Sequence, residues 1–239
     1  MSVLSVRNFQ KRYGDHVAVR DLSLTVEAGS IHGFIGHNGA GKTTLIRAIV
    51  GAQPFDGGSI EVCGHSIEHE PIAAKRALAY VPDNPDVYEF MTGMQYLTYL
   101  ADIFEVPAAA RVERIAALAE RLDIAEALTD PISSYSHGMK QKLVIIGALV
   151  HDPTLLVLDE PFVGLDPVAS HELKLILRER AEADAAVFFS SHVLEVVEKL
   201  CDELTVIRSG EVVAQGTTAQ VRGDGSLESV FLELVEKEA

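Results

Sequence analysis

Residues 36 to 43 read Gly36-His37-Asn38-Gly39-Ala40-Gly41-Lys42-Thr43, a full G-x-x-x-x-G-K-[ST] pattern set between an apolar run and an amphipathic one. A chain with this pattern must place a buried strand, a tight glycine loop and a helix in immediate succession. The glycines let backbone N–H groups converge on a concave nest that β-carbons would obstruct. The helix that follows aims the positive end of its dipole into the same nest. Such a loop suits the phosphates of ATP or GTP. Lys42 is expected to reach the β- and γ-phosphates, the Thr43 hydroxyl to take one position on Mg²⁺, and Thr44 to continue the phosphate-facing helix start. Residues 30–35 read as a buried strand leading in, and residues 44–50 as a helix leading out, stopped by Gly51.

With 239 residues and 48% apolar composition, the chain can bury a sizeable core as one unit carrying a subdomain. The longest nearly unbroken apolar run, residues 143–150, is less than half of the roughly 20 residues needed to span a bilayer. The N-terminus lacks a basic region followed by an apolar core. These features predict a cytoplasmic protein. Cys63 and Cys201 form no C-x-x-C arrangement, so neither a disulfide framework nor a cysteine zinc site is indicated, and both read as small buried hydrophobes. A formal charge of −15 opposes attraction to a phosphate polymer, and no nucleic-acid partner is expected.

Alternation around Val3, Ser5 and residues 22–26, interrupted at Gly14-Asp15, predicts an antiparallel sheet beside the loop. A second strand pair is expected over residues 59–67, after Asp56-Gly57-Gly58. Helices dominate residues 92–151: a capping-box start at Thr92 with Gln95, a helix with Pro107 in its first turn running to about Leu122, and a third over 137–151. Residues 155–158 and 186–189 are uniformly apolar and of strand length, with a helix over 167–183 between them. That alternation implies a parallel sheet covered on both faces. A hairpin closed near Ser209-Gly210 follows. The tail then carries one helical stripe, Leu227, Val230, Phe231, Leu234 and Val235, expected to dock on the core. One domain over 1–239 is the economical reading, with residues 84–151 as an inserted helical subdomain and 227–239 as the docked tail.

The strand at 155–158 ends in Asp159-Glu160. Beside a phosphate loop, Asp159 is placed to hold a metal and Glu160 to polarise the attacking water as general base. Taken without the loop, the same pair is simply two acids ending a strand at the surface. His65 and His69, with Glu68 and Glu70 nearby, could form a metal cluster, but their strand-and-loop setting favours solvated side chains. Ser136 reads as an N-cap with Gly138 just inside the helix, which is either an ordinary helix start or a small anion site with open backbone donors. Asp166-Pro167 is a plain N-cap and first-turn pair.

Over nearly its whole length, with the motifs in the family's order, the chain resembles the ATPase subunits of ABC transporters. Tyr135-Ser136-His137-Gly138-Met139-Lys140-Gln141 resembles the signature segment, Gly164-Leu165-Asp166 the D-loop, Ser191-His192 the switch histidine, and Tyr80-Val81-Pro82-Asp83 the Q-loop. The resemblance implies an α/β fold: a P-loop NTPase core with a parallel sheet, an N-terminal antiparallel β subdomain and an inserted helical subdomain. It also implies that Tyr13 stacks on adenine and that His192 reports the γ-phosphate. Ser136, His137, Gly138 and Asp166 would lie at the interface of a head-to-tail dimer, each signature segment closing on ATP held by the other subunit.

Two departures stand out: Asp83 replaces the Q-loop glutamine, and His137 and Met139 replace the signature's first glycine and its glutamine. Asp83 keeps an oxygen for Mg²⁺ or water, with an added charge on a shorter arm. The pattern is similar to that of export-type members. The expectation is therefore an ATP- and Mg²⁺-dependent ATPase, a homodimer or a heterodimer with a related subunit. It would drive a separate membrane-spanning permease and sit at the inner face of the membrane through that permease. The alternative is a freestanding ATPase of the same family acting in macromolecular assembly or repair.

Overall fold

The computed structural model describes residues 2–236, with side chains through residue 233. Residues 237–239 and the side chains of Leu234 and Val235, both counted in the expected tail stripe, lie outside that range. The chain opens with two long strands, β1 (Ser2–Tyr13) and β2 (His16–Glu27), paired antiparallel across the expected turn. Leu22, Leu24 and Val26 point inward and Ser23 and Thr25 outward, the period-2 pattern of a half-buried sheet. After β3 (Ile31–Ile35) and α1 (Lys42–Ile49), β4 (Gly57–Val62) and β5 (His65–Ser66) complete a four-stranded sheet in the order β2-β1-β4-β5.

Next come α2 (Pro71–Ala77), β6 (Leu78–Val81), α3 (Gly93–Ile103), α4 (Ala108–Arg121) and α5 (His137–Leu149). The remaining elements are β7 (Leu155–Asp159), α6 (Pro167–Glu182), β8 (Ala186–Ser191), α7 (Leu194–Leu200), β9 (Glu203–Arg208), β10 (Glu211–Thr217), α8 (Thr218–Arg222) and α9 (Leu227–Glu236). The second sheet has six strands in the order β10-β9-β3-β8-β7-β6, parallel except for the edge strand β10.

The uniformly apolar strands divide their side chains between two cores. Leu155 and Val157 of β7, with Ala186 and Phe188 of β8, face α1 and the antiparallel sheet; Leu156 and Leu158, with Val187 and Phe189, face the helices on the other side. A strand buried on both faces has no use for alternation, so its run reads as continuously hydrophobic. α7 lies flush against β3: a β-carbon on Gly33 would stand 2.8 Å from Cys201 Sγ and 2.9 Å from Val197 Cγ1. Leu227, at the start of α9, is fully buried in the helical-side core, and Phe231 packs against it.

Several local expectations need correction. Pro107 is the N-cap of α4 with ψ 141°, one residue outside the first turn, where its missing N–H costs nothing. α1 begins at Lys42, two residues earlier than the apolar pattern marks it, because polar Lys42 and Thr43 form its first turn. Cys63 is only half-buried: it sits in the tight turn between β4 and β5 at φ 51°, while Cys201 is buried as expected. Strand β6 went unread because it follows α2 with no turn residue between them. The helices of the 84–151 segment start at Gly93, directly after the cap at Thr92 as the sequence leads one to expect, and residues 84–92 are irregular apart from a bridge between Thr92 and Pro131. Thr92 and Gln95 do form the reciprocal capping box. Arg121 of α4 donates to Glu172 at 3.2 Å and to Glu179 at 2.6 Å, tying this helical segment to α6.

Candidate nucleotide site

Parallel strands bring their carboxyl ends to one edge of the sheet, and that edge is where an open α/β sheet forms its binding crevice. The phosphate loop leaves β3, Asp159 ends β7 with Glu160 just beyond it, Ser190 and Ser191 end β8, and Asp83 follows β6. Register sets them level: Ile35 is opposite Ser191, and Asp159 opposite Ser190. Between them lies a cavity of about 310 Å³ walled by Tyr13, His16, Ala18, Asn38, Gly39, Gly41, Lys42, Thr43, Thr44, Asp83, Asp159 and Glu160. Asn38, Asp83 and Glu160 also line an adjoining recess, together with Val163 and His192.

The loop is shaped by close packing. Gly41 has φ 111°, and a β-carbon there would meet the Val19 side chain at 2.8 Å and the Ala18 carbonyl at 2.9 Å, so the chain can turn into α1 only without a side chain. Gly36 and Ala40 are buried beneath the loop, and the half-buried His37 bonds through Nδ1 to the Asn38 carbonyl at 2.7 Å. Lys42 folds back over this loop, donating to the Gly36 carbonyl at 2.8 Å and the His37 carbonyl at 3.3 Å. Its Nζ lies 3.9 Å from Glu160. Burial lowers the Lys42 pKa, an effect opposed by the charges of Glu160 and Asp159.

Asp159 is 1% exposed. The Ser190 hydroxyl donates to its Oδ1 at 2.5 Å and accepts from the Glu160 N–H at 3.0 Å. Its other oxygen, Oδ2, is buried and makes no hydrogen bond. A buried carboxylate oxygen left without a donor next to a phosphate loop suits a divalent cation, and Thr43 and Asp83 on the same wall supply further oxygens of the kind Mg²⁺ takes. Glu160 adopts φ 48°, turning its carboxylate out of the strand line. Glu160 Oε2 meets His192 Nδ1 at 2.8 Å and accepts the His192 backbone N–H at 3.2 Å.

Ser136, His137, Gly138 and Asp166 do not line this cavity. Ser136 is the exposed N-cap of α5, accepting from the Met139 N–H at 3.3 Å. Asp166 caps α6 through the Ala169 N–H and pairs with Lys142 of α5 at 2.9 Å. Those two partners, the amide first, hold its carboxyl below the usual range. His65 pairs with Glu70 at 3.1 Å, and among the described residues no group of three or more His, Cys, Asp or Glu side chains is placed to hold a metal ion. Ser190 and His16 escaped the sequence reading. Ser190 was signalled only by polar residues closing an otherwise apolar strand.

The sequence model of the family described as ABC transporter matches residues 19–163. The chain belongs to this family. EcsA of Bacillus subtilis, an ABC-type transporter ATP-binding protein, is 34% identical over 244 residues, covering 100% of this chain and 99% of EcsA. Nod factor export ATP-binding protein I of Ralstonia nicotianae is 35% identical over 214 residues, 90% of this chain and 67% of the relative. A solved ATP-binding subunit of an ABC transporter superposes with a TM-score of 0.94 at 31% identity, over 97% of this chain and 99% of the other. This ABC protein is thus an ATP-binding, ATP-hydrolysing transporter subunit with the expected α/β fold, and the freestanding alternative is disfavoured. ATP-binding subunits of this family work with membrane permeases, and among the described residues no helix is long and apolar enough to cross a membrane.

Proposed function

We propose that this subunit pairs head-to-tail with a second copy, or with a related ATPase, around two Mg·ATP. Closure and reopening of the pair would drive a separately encoded, export-type permease from the inner face of the membrane. The observation that carries this reading is the incomplete cavity. One chain supplies the loop, Asp159 and Glu160, with His192 in the adjoining recess, while the capped start of α5 stands outside the wall, exposed. A facing molecule that docks its Ser136 and Gly138 there would complete the cradle, with Asp166 at the seam. The export assignment is supported by the relative named for Nod factor export.

Within each cradle, Tyr13 stacks on the adenine and the loop amides of residues 36–44 hold the phosphates. Lys42 exchanges its loop carbonyls for β- and γ-phosphate oxygens. Asp159, Thr43 and Asp83 are the residues that would hold Mg²⁺, which when bound supplies positive charge against the phosphate oxygens. Glu160 takes the proton of the attacking water, and His192 orients that carboxylate and senses the γ-phosphate. The test is disulfide trapping of a Ser136→Cys, Asn38→Cys pair in a Cys63→Ser background, since Cys63 is itself partly accessible. A cross-linked dimer that forms only with ATP is expected; its absence with ATP overturns the head-to-tail arrangement.

A further inference from the structure

The Tyr13 hydroxyl bonds to Gln53 Oε1 at 2.8 Å, and Gln53 Nε2 donates to the Thr44 carbonyl at 2.7 Å. The second contact fixes the first. A backbone carbonyl can only accept, so the amide nitrogen must face Thr44, Oε1 is left for the phenol, and the Tyr13 O–H is the donor. Gln53 is itself pinned just past the end of α1, where its N–H donates to the Arg47 carbonyl at 3.2 Å. One half-buried side chain thus ties the end of β1 to the first turn of the helix that begins at the phosphate loop. Gln53 does not line the cavity, whereas Tyr13 does. Tyr13 is 49% exposed and its ring carries Lys11 Nζ 5.3 Å from its centroid, so packing alone does little to hold it. A ring fixed before its ligand arrives loses less freedom on binding.

We propose that Gln53 is a positioning residue for the nucleotide base: it holds the Tyr13 ring in its stacking orientation and couples that platform rigidly to the phosphate loop. The inference rests on the base-stacking role given to Tyr13 above. Because Gln53 acts through the ring, its effect belongs to ligands that carry a base and is absent for ligands made of phosphate alone.

Affinities of the full chain for ATP and for inorganic tripolyphosphate, both without divalent cations to prevent turnover, separate the two. Gln53→Ala and Tyr13→Phe should each weaken ATP binding by about three- to tenfold, the worth of one ordinary hydrogen bond. The double variant should be no weaker than either single one, and tripolyphosphate affinity should not move. Unchanged ATP affinity in Gln53→Ala overturns the proposal, as do equal losses for both ligands or single effects that multiply in the double variant. Tyr13→Ala guards the underlying reading. Wild-type ATP affinity in that variant would remove the base platform itself, whereas a silent Gln53→Ala beside a weakened Tyr13→Ala would remove only Gln53's part.

Discussion

Nδ1 of His192 stands 2.8 Å from Oε2 of Glu160, and the backbone N–H of the same histidine reaches that oxygen at 3.2 Å. The pair joins the ends of β7 and β8 through a single carboxylate oxygen. Lys42 Nζ lies 3.9 Å from the other oxygen, so the carboxylate is held from two sides.

Glu160→Gln keeps the shape of this contact and removes the carboxylate proposed as the base. Turnover should fall by about 10² to 10⁴, the range for a lost general base, while ATP binding stays close to wild type. Single-turnover phosphate release checks it, and an unchanged rate would take Glu160 out of that role.

Lys42→Ala removes the buried ammonium that bridges the Gly36 and His37 carbonyls. ATP affinity should drop by at least about tenfold, as expected when a charge-assisted hydrogen bond is lost. Equilibrium titration with ATP decides this, and equal affinity would contradict the phosphate-loop assignment.

Ser190→Ala deletes one hydroxyl that serves both Asp159 and the Glu160 amide. Since groups that orient a metal ligand typically govern about 10- to 100-fold in affinity or activity, the Mg²⁺ concentration for half-maximal hydrolysis should rise by that order. A Mg²⁺ titration identical to wild type would show that Asp159 needs no such support.

His32 is buried in the parallel sheet, bonded to Thr205 Oγ1 at 2.9 Å, with the partly exposed Glu203 carboxylate 3.5 Å from its other nitrogen. Burial lowers its pKa from 6.5 to about 4. Between those values the unfolded chain binds a proton that the folded chain refuses, so stability falls as pH drops from 6.5 towards 4, by up to about 3 kcal/mol. His32→Gln lacks this proton linkage. Urea unfolding at pH 7 and 4.5 should show the wild type losing more stability than the variant, and equal losses would count against the assignment.

What the sequence made legible follows the range of each interaction. The phosphate loop, the acids after residues 155–158 and the caps at Thr92, Ser136 and Asp166 are local patterns, readable because their chemistry lies within a few residues. The paired strands of the N-terminal sheet and the parallel run through β7 and β8 were legible for the same reason: periodicity is local. Ser190 and Gln53 were not, because each gains its partners across the fold. Ser190 meets Asp159 only through the register of β7 and β8, and Gln53 meets Tyr13 only once β1 and α1 are in place. Strand β6 stayed hidden because no turn residue separates it from α2. Cys63 was misjudged by composition, since a tight turn at positive φ exposes a residue type that usually lies inside.

Gly33 carries a constraint that reaches well beyond its own strand. β3 feeds directly into the phosphate loop, and α7 begins two residues after His192, yet only a hydrogen atom fits between strand and helix at this point. The spacing between Lys42 on the phosphate loop and His192 just past β8 is therefore gauged here, in a dry contact that neither of them touches. A single added methyl at Gly33 would shim the helix outward and shift His192 relative to the loop while leaving every motif intact.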